Sequence, residues 1–350
     1  MFYAMRRILP ITEINDSDNA MIKIMLGYTP DEGKCLTTDE ASIYLMSLLD
    51  GVNDEATIVK CMNEKYPEIL SEEIISRINL LKENNIVEKG GFISDSLSPK
   101  ELERYDRHLL YYSIFNNNAV KVQECLKKSR VMLVGMGGIG CWLSYALAGA
   151  GIGTIIGVDN DTIESSNLTR QILYTEIDVG RYKVDVAKKR LDEYNENIKF
   201  IGVKKKIICK DELLTLLDNV DFLILSADRP VAIHEWVHDA CKEKGVPYSN
   251  VGYINHVGVS GPIVRAEDNV LSRIMEKEFE ENPGLDNEYV KKINQRFQPP
   301  SFGPLNGLIS CFQAMEVVRF LTKTATPITL NKRFMFDSYN MKIWFEEYGN

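Results

Sequence analysis

The stretch Gly135-Met136-Gly137-Gly138-Ile139-Gly140 constrains this chain more than any other. The residues before it, Arg130-Val131-Met132-Leu133-Val134, form a short apolar run that reads as a buried strand, and residues 141–150 read as a helix. Strand, glycine turn and helix in that order let backbone N–H groups and the positive helix end approach phosphate oxygens. Thr154-Ile155-Ile156-Gly157-Val158 reads as a second strand ending at Asp159. An acid about twenty residues past the loop is where a ribose hydroxyl partner is expected. To this point a nicotinamide-dependent oxidoreductase fits as well as an ATP enzyme.

The next residues separate the two. The run from Asp159 through Asp161, Asn167, Arg170 and Gln171 is polar and charged, and Asp178-Val179-Gly180-Arg181-Tyr182-Lys183 follows. A further apolar strand, Phe222-Leu223-Ile224-Leu225, ends in Ser226-Ala227-Asp228. An acid at the end of a central strand overlooks the nucleotide crevice, and it suits Mg²⁺, which takes one or two carboxylates plus phosphate oxygens. Arginine, lysine and Mg²⁺ together suit charge build-up at a phosphoryl centre and disfavour the oxidoreductase.

These pieces, with Phe302-Gly303-Pro304-Leu305-Asn306-Gly307 and the helix through Glu316, resemble the ThiF/E1-like adenylating superfamily over about residues 101–346. Asn250 to Asn255, Arg296-Phe297-Gln298-Pro299 and Leu330-Asn331-Lys332-Arg333 are similar to its microcin C maturation branch, whose members modify ribosomal peptides. The resemblance implies a Rossmann-like α/β domain with a mostly parallel sheet, binding ATP and Mg²⁺ as a homodimer. It implies that Gly135, Gly137, Gly138 and Gly140 cradle phosphates, that Asp159 binds ribose, and that Asp161, Asn167, Gln171 and Ala227 line the nucleotide. Arg170 and Lys183 would then stabilise the phosphates and Asp228 would hold Mg²⁺. Arg107, in Arg104-Tyr105-Asp106-Arg107, matches an arginine supplied across the dimer interface. Two departures stand out: no C-x-x-C pair is present for a structural zinc, and no cysteine occupies an acyl-acceptor position; Cys241 and Cys311 fall on expected helices.

The first 93 residues read as a separate small unit, followed by a polar linker over residues 94–100 and the large domain over residues 101–350. Residues 21–26 suit a strand. Thr37 with Glu40 looks like a capping box ahead of a helical stripe of Ala41, Leu45, Leu48 and Leu49. A second helix is expected from Asp54 to Tyr66, ended by Pro67, and a third is expected to be capped by Ser71. Ile86-Val87 and Phe92-Ile93 around Lys89-Gly90-Gly91 suggest a two-strand wing. This winged-helix pattern resembles the PqqD-like RiPP recognition element, which implies that a precursor's leader peptide adds a strand to its sheet edge. The fusion of these two parts is similar to that in the pantocin A maturation enzymes. A docking module is the plainer alternative, and the acidic Glu72-Glu73 disfavours DNA.

Composition fits these expectations. A 350-residue chain that is 45% hydrophobic and 26% charged supports ordinary globular cores. Its net charge of -9 disfavours nucleic acid. With no apolar run of membrane length and no signal-like start, no membrane partner and a cytoplasmic location are expected. The expected activity is adenylation of a carboxylate on a ribosomally made precursor peptide, followed by capture within the peptide. A ThiF-type activator of a ubiquitin-like sulfur carrier is the rival enzyme, and a non-catalytic nucleotide- and peptide-binding scaffold is the rival outside catalysis.

Overall fold

A computed structural model describes residues 2–7, 9–14, 22–26, 34–89, 92–115, 118–268 and 300–348. The chain divides into two units, Met1–Val120 and Lys121–Asn350. Met21, the Gly90-Gly91 turn and Arg296-Phe297-Gln298-Pro299 lie outside the described residues.

The first unit runs β1 (Phe2–Met5), β2 (Ile11–Ile14), β3 (Ile22–Leu26), β4 (Lys34–Thr38), α1 (Glu40–Leu48), β5 (Asp50–Asp54), α2 (Glu55–Lys65), α3 (Ser71–Glu83), β6 (Val87–Lys89), α4 (Pro99–Arg104) and α5 (Asp106–Phe115). β2, β3 and β4 pair antiparallel in that order, and β1 lies between β5 and β6. Ile24 and Leu26 of β3 join Leu45, Ile58, Met62, Ile74 and Ile78 of the three helices in one core. The helical stripes bury as their spacing demands.

Three local expectations are corrected. α1 is capped by Asp39, whose side chain accepts from Ser42 N, while Thr37 is inside β4. α3 begins at Ser71 rather than being capped by it, with Leu70 in the cap position. The strand at Val87 pairs with β1 from the chain's start, and Phe92-Ile93 carry no strand, so the expected hairpin wing is replaced by a distant pairing. Within the expected linker, Ser98 caps α4 through a reciprocal capping box with Glu101.

From α6 (Ala119–Lys128), which starts at the unit boundary, the chain continues through β7 (Arg130–Val134), α7 (Gly138–Ala150), β8 (Thr154–Val158), α8 (Lys183–Tyr194), β9 (Lys199–Val203), α9 (Lys210–Leu214), β10 (Phe222–Leu225) and α10 (Ile233–Lys244). Then come β11 (Tyr248–Ile254), β12 (Val257–Val264), α11 (Gly303–Thr322), β13 (Lys332–Asp337) and β14 (Lys342–Glu347). One eight-stranded sheet results, in the order β14-β13-β12-β11-β10-β7-β8-β9. The pairs from β11 through β10, β7 and β8 to β9 are parallel, and β12, β13 and β14 are added antiparallel. β7 and β10 are buried on both faces, as central parallel strands covered by helices are. The chain winds from β7 to β8 and β9 on one side, then returns to β10 and β11 on the other. The crevice where this direction reverses opens at the ends of β7 and β10, where doubly wound folds bind ligands.

Candidate active site

The glycine loop occupies that crevice. Gly135 leaves β7 at φ +103, a left-handed conformation that a side chain rarely adopts, and a Cβ there would also meet Ser226 Oγ at 2.9 Å. A Cβ on Gly140 would collide with the Gly135 carbonyl. Gly137 stands at the cap of α7 with no side chain capping the helix, which leaves the first-turn amides of α7 for a ligand. Three side chains fix the loop: Met136 N donates to Asp159 Oδ2 at 2.7 Å, Tyr174 Oη donates to the Met136 carbonyl at 3.0 Å, and Ser226 Oγ donates to the Gly135 carbonyl at 2.9 Å.

Asp159, at the end of β8, is half-buried and also accepts from Asp161 N at 2.8 Å. Two amides leave lone pairs on both its oxygens for ribose hydroxyls. Lys183 is buried at the first turn of α8, with its Nζ 2.9 Å from Asp161 Oδ2. A cation at a helix N-terminus, out of water, opposes both the dipole and solvation. An ordinary surface lysine has no need of that position, and a phosphate is a natural replacement for its exposed Asp161 partner.

Asn167 is buried, and its Oδ1 accepts from Glu164 N at 3.2 Å, closing the short turn before Arg170. Arg170 is half-buried and donates from Nη1 to the Ser166 carbonyl at 2.8 Å. Gln171 is buried, with Nε2 3.9 Å from where a Cβ on Gly137 would stand. Its Oε1 has no hydrogen-bond partner. Across the crevice Asp228 is exposed beyond β10, and Ala227 N lies 3.1 Å from a Cβ added at Gly135. Asp228 does not cap α10, whose cap is Ala232.

The second unit therefore gathers Gly135, Gly137, Gly138, Gly140, Asp159, Asp161, Asn167, Arg170, Gln171, Lys183, Ala227 and Asp228 around one crevice. Arg107 belongs to the other unit, exposed on the first turn of α5. Sequence reasoning passed over Tyr174, and it quoted Ser226 and Asn306 within motifs without giving either a role. Asn306 alone left a signal, as an amide in the otherwise apolar run that opens α11.

The cradle fits a nucleoside triphosphate: the first-turn amides of α7 are uncapped, the Arg170 stem lies beside Gly138, and Asp159 is bonded to the glycine loop. Among the described residues no three His, Cys, Asp or Glu side chains gather as a metal site, so a divalent ion at Asp228 requires oxygens from the nucleotide. Burial pushes the Cys141 thiol up to about 12 and raises Cys241, which makes poor nucleophiles of these two. Among the described residues no helix is long and apolar enough to cross a membrane.

The molybdopterin-synthase adenylyltransferase of Salmonella typhimurium is 30% identical over 242 residues, 69% of this chain and 90% of that protein. The crystal structure of Escherichia coli MccB with AMPCPP and MccA superposes with a TM-score of 0.72 at 29% identity, covering 100% of this chain and 98% of that one. The crystal structure of PaaA superposes with a TM-score of 0.76 at 26% identity, covering 96% and 98%. The protein is an adenylyltransferase of the ThiF type that uses ATP, and residues 105–348 match the family's model: the chain belongs to the ThiF family.

Proposed function

We propose that this enzyme adenylates a carboxylate of a ribosomally made precursor peptide and that a nucleophile within the same peptide captures the acyl group. The reading rests chiefly on one observation. The likeness to MccB runs over the whole chain, N-terminal unit included, while the molybdopterin-synthase adenylyltransferase aligns to 69% of it. In MccB, AMPCPP and MccA are held by one protein. Activation of a ubiquitin-like sulfur carrier is the second reading, favoured by the 30% identity to that adenylyltransferase.

The first unit would take the leader along an open sheet edge, β2 or β4, raising the local concentration of the carboxylate at the crevice. A carboxylate oxygen attacks the α-phosphorus, the bond to the bridging oxygen breaks, and pyrophosphate leaves with the electron pair. Arg170 turns from Ser166, and Lys183 exchanges Asp161 for phosphate, to meet the charge that develops. Arg107 of a second protomer completes the site in a homodimer. Mg²⁺, held by Asp228 and the phosphates, supplies charge neutralisation and orientation when bound. Burial and low thiol acidity make Cys141 and Cys241 poor sites for an acyl-cysteine.

Peptide-dependent exchange of labelled pyrophosphate into ATP tests the reading. Asp228→Ala is expected to lower it about 10²-fold or more, the scale of losing a main electrostatic group. Exchange driven by a ubiquitin-like carrier and by no short peptide would overturn the peptide substrate. Undiminished exchange in Asp228→Ala would remove the metal role.

A further inference from the structure

Asn306 has no part in the mechanism above, yet it is fully buried beside a crowded point of the glycine loop. A Cβ added to Gly138 would collide with Asn306 Nδ2 and would stand 3.3 Å from Arg170 Cγ and 3.5 Å from Arg170 Cδ. The carboxamide and the Arg170 stem thus flank one point at the start of α7. The start of α11 also runs close to the backbone of the same arginine, since a Cβ on Gly303 would stand 2.8 Å from the Thr169 carbonyl and 3.5 Å from Arg170 Cα. In the structure Nδ2 donates to Ser301 Oγ at 3.2 Å, which leaves Oδ1 facing away from Ser301. Oδ1 is buried with no hydrogen-bond partner. A buried carbonyl oxygen left unpaired is costly, and a structure that keeps one at a ligand site has a partner for it in another state.

Arg170, whose stem shares that crowded point, carries donors able to supply that partner. Its guanidinium donates from Nη1 to the Ser166 carbonyl. To face a phosphate at the α7 amides it must swing from Ser166, and Nε–H is the donor next along the stem from Cδ. We propose that Asn306 is a positioning residue that accepts Arg170 Nε–H when nucleotide binds, holding the guanidinium toward the phosphates. Arg170 then has two settings, one on Ser166 and one on Asn306. An arginine fixed through Nε presents its two terminal nitrogens to an anion as a fork. The inference rests on the phosphate role given to Arg170 above.

AMPCPP and adenosine are the probes, with affinities measured by calorimetry or competition on the full chain, so no peptide is needed. Asn306→Leu keeps the volume and removes the acceptor; Asn306→Ala serves if the leucine variant does not fold. Either is expected to weaken AMPCPP about fivefold to twentyfold and adenosine less than about twofold, because only the phosphates engage Arg170. In an Arg170→Ala background the same substitution is expected to add nothing, the sign of residues acting as one unit. Equal losses for both probes, or additive losses in the Arg170→Ala background, would assign Asn306 to packing alone and overturn the proposal. If Arg170→Ala by itself leaves AMPCPP affinity unchanged, the phosphate role of Arg170 falls first, and this inference with it.

Discussion

Gly138 shows how little room the phosphate cradle allows. Alanine suits the first turn of a helix, so a substitution there is harmless on propensity alone. Its methyl would instead collide with Asn306 Nδ2, which α11 carries, and stand 3.3 Å from Arg170 Cγ. Gly138→Ala is therefore expected to fold but to bind AMPCPP at least about tenfold more weakly, about 1.4 kcal/mol; affinity equal to wild type would mean that Asn306 and Arg170 move aside freely. The need for glycine was legible in the sequence, because strand, loop and helix signals surround it. What crowds Gly138 was not legible, since Asn306 is 168 residues away along the chain and an amide in a helix has many uses. Lys183 gained most from the fold: its burial turns an ordinary charge into one placed against solvation and dipole together.

Elements were read well where their signals are local. The glycine-loop strand, the strand at 154–158 and the strand at 222–225 lie where apolar runs placed them. Caps were less legible because Thr37, Thr38 and Asp39 all favour that position, and only the path of β4 selects Asp39. The wing failed for a non-local reason, since β6 finds its partner in residues 2–5 rather than across a turn. The turn between Asn167 and α8 depends on Asp178, which is buried and accepts from Thr175 N and Oγ1, Arg181 and Arg190. Burial raises its carboxyl, but the bonds from Thr175 and Arg190 and the charge of Arg190 outweigh burial and hold it below the ordinary carboxylate value. A depressed acid stabilises the fold above its unfolded value of about 3.9, and that contribution disappears as pH falls through the folded value. Both arginines are partly solvated, so Asp178→Asn is expected to cost only about 1–3 kcal/mol in urea unfolding at pH 7. The gap from wild type is expected to begin closing below about pH 4 and to be lost once pH has fallen through the folded value; a gap that does not shrink as pH falls would show that charge is not its source.

At the scale of the whole molecule, alternation of strands and helices made a parallel sheet legible, and the antiparallel turn at β12 was not, because pairing direction leaves no mark on an apolar run. The division after Val120 falls inside the span matched by the ThiF family model, and it leaves Arg107 in the first unit while the nucleotide crevice is built wholly by the second. Arg6 Nη2 donates to the Ser113 carbonyl at 2.7 Å and Arg7 pairs with Asp106 at 2.7 Å, so the N-terminal segment grips the helix that carries Arg107. Exposed Tyr111, Ile114 and Phe115 share that helix, an apolar stripe suited to burial against a second copy. If Arg107 serves the partner's crevice, lesions in Arg107 and Lys183 fall in different sites when each protomer carries one. A dimer of one Arg107→Ala chain and one Lys183→Ala chain then keeps one intact site, lacking neither residue. Such dimers, isolated with two affinity tags, are expected to support about half the wild-type exchange rate, while each homodimeric variant is nearly inactive. An arginine acting on its own chain predicts instead that every site in the mixed dimer is damaged, and mixed dimers as inactive as either parent would place Arg107 outside the shared site.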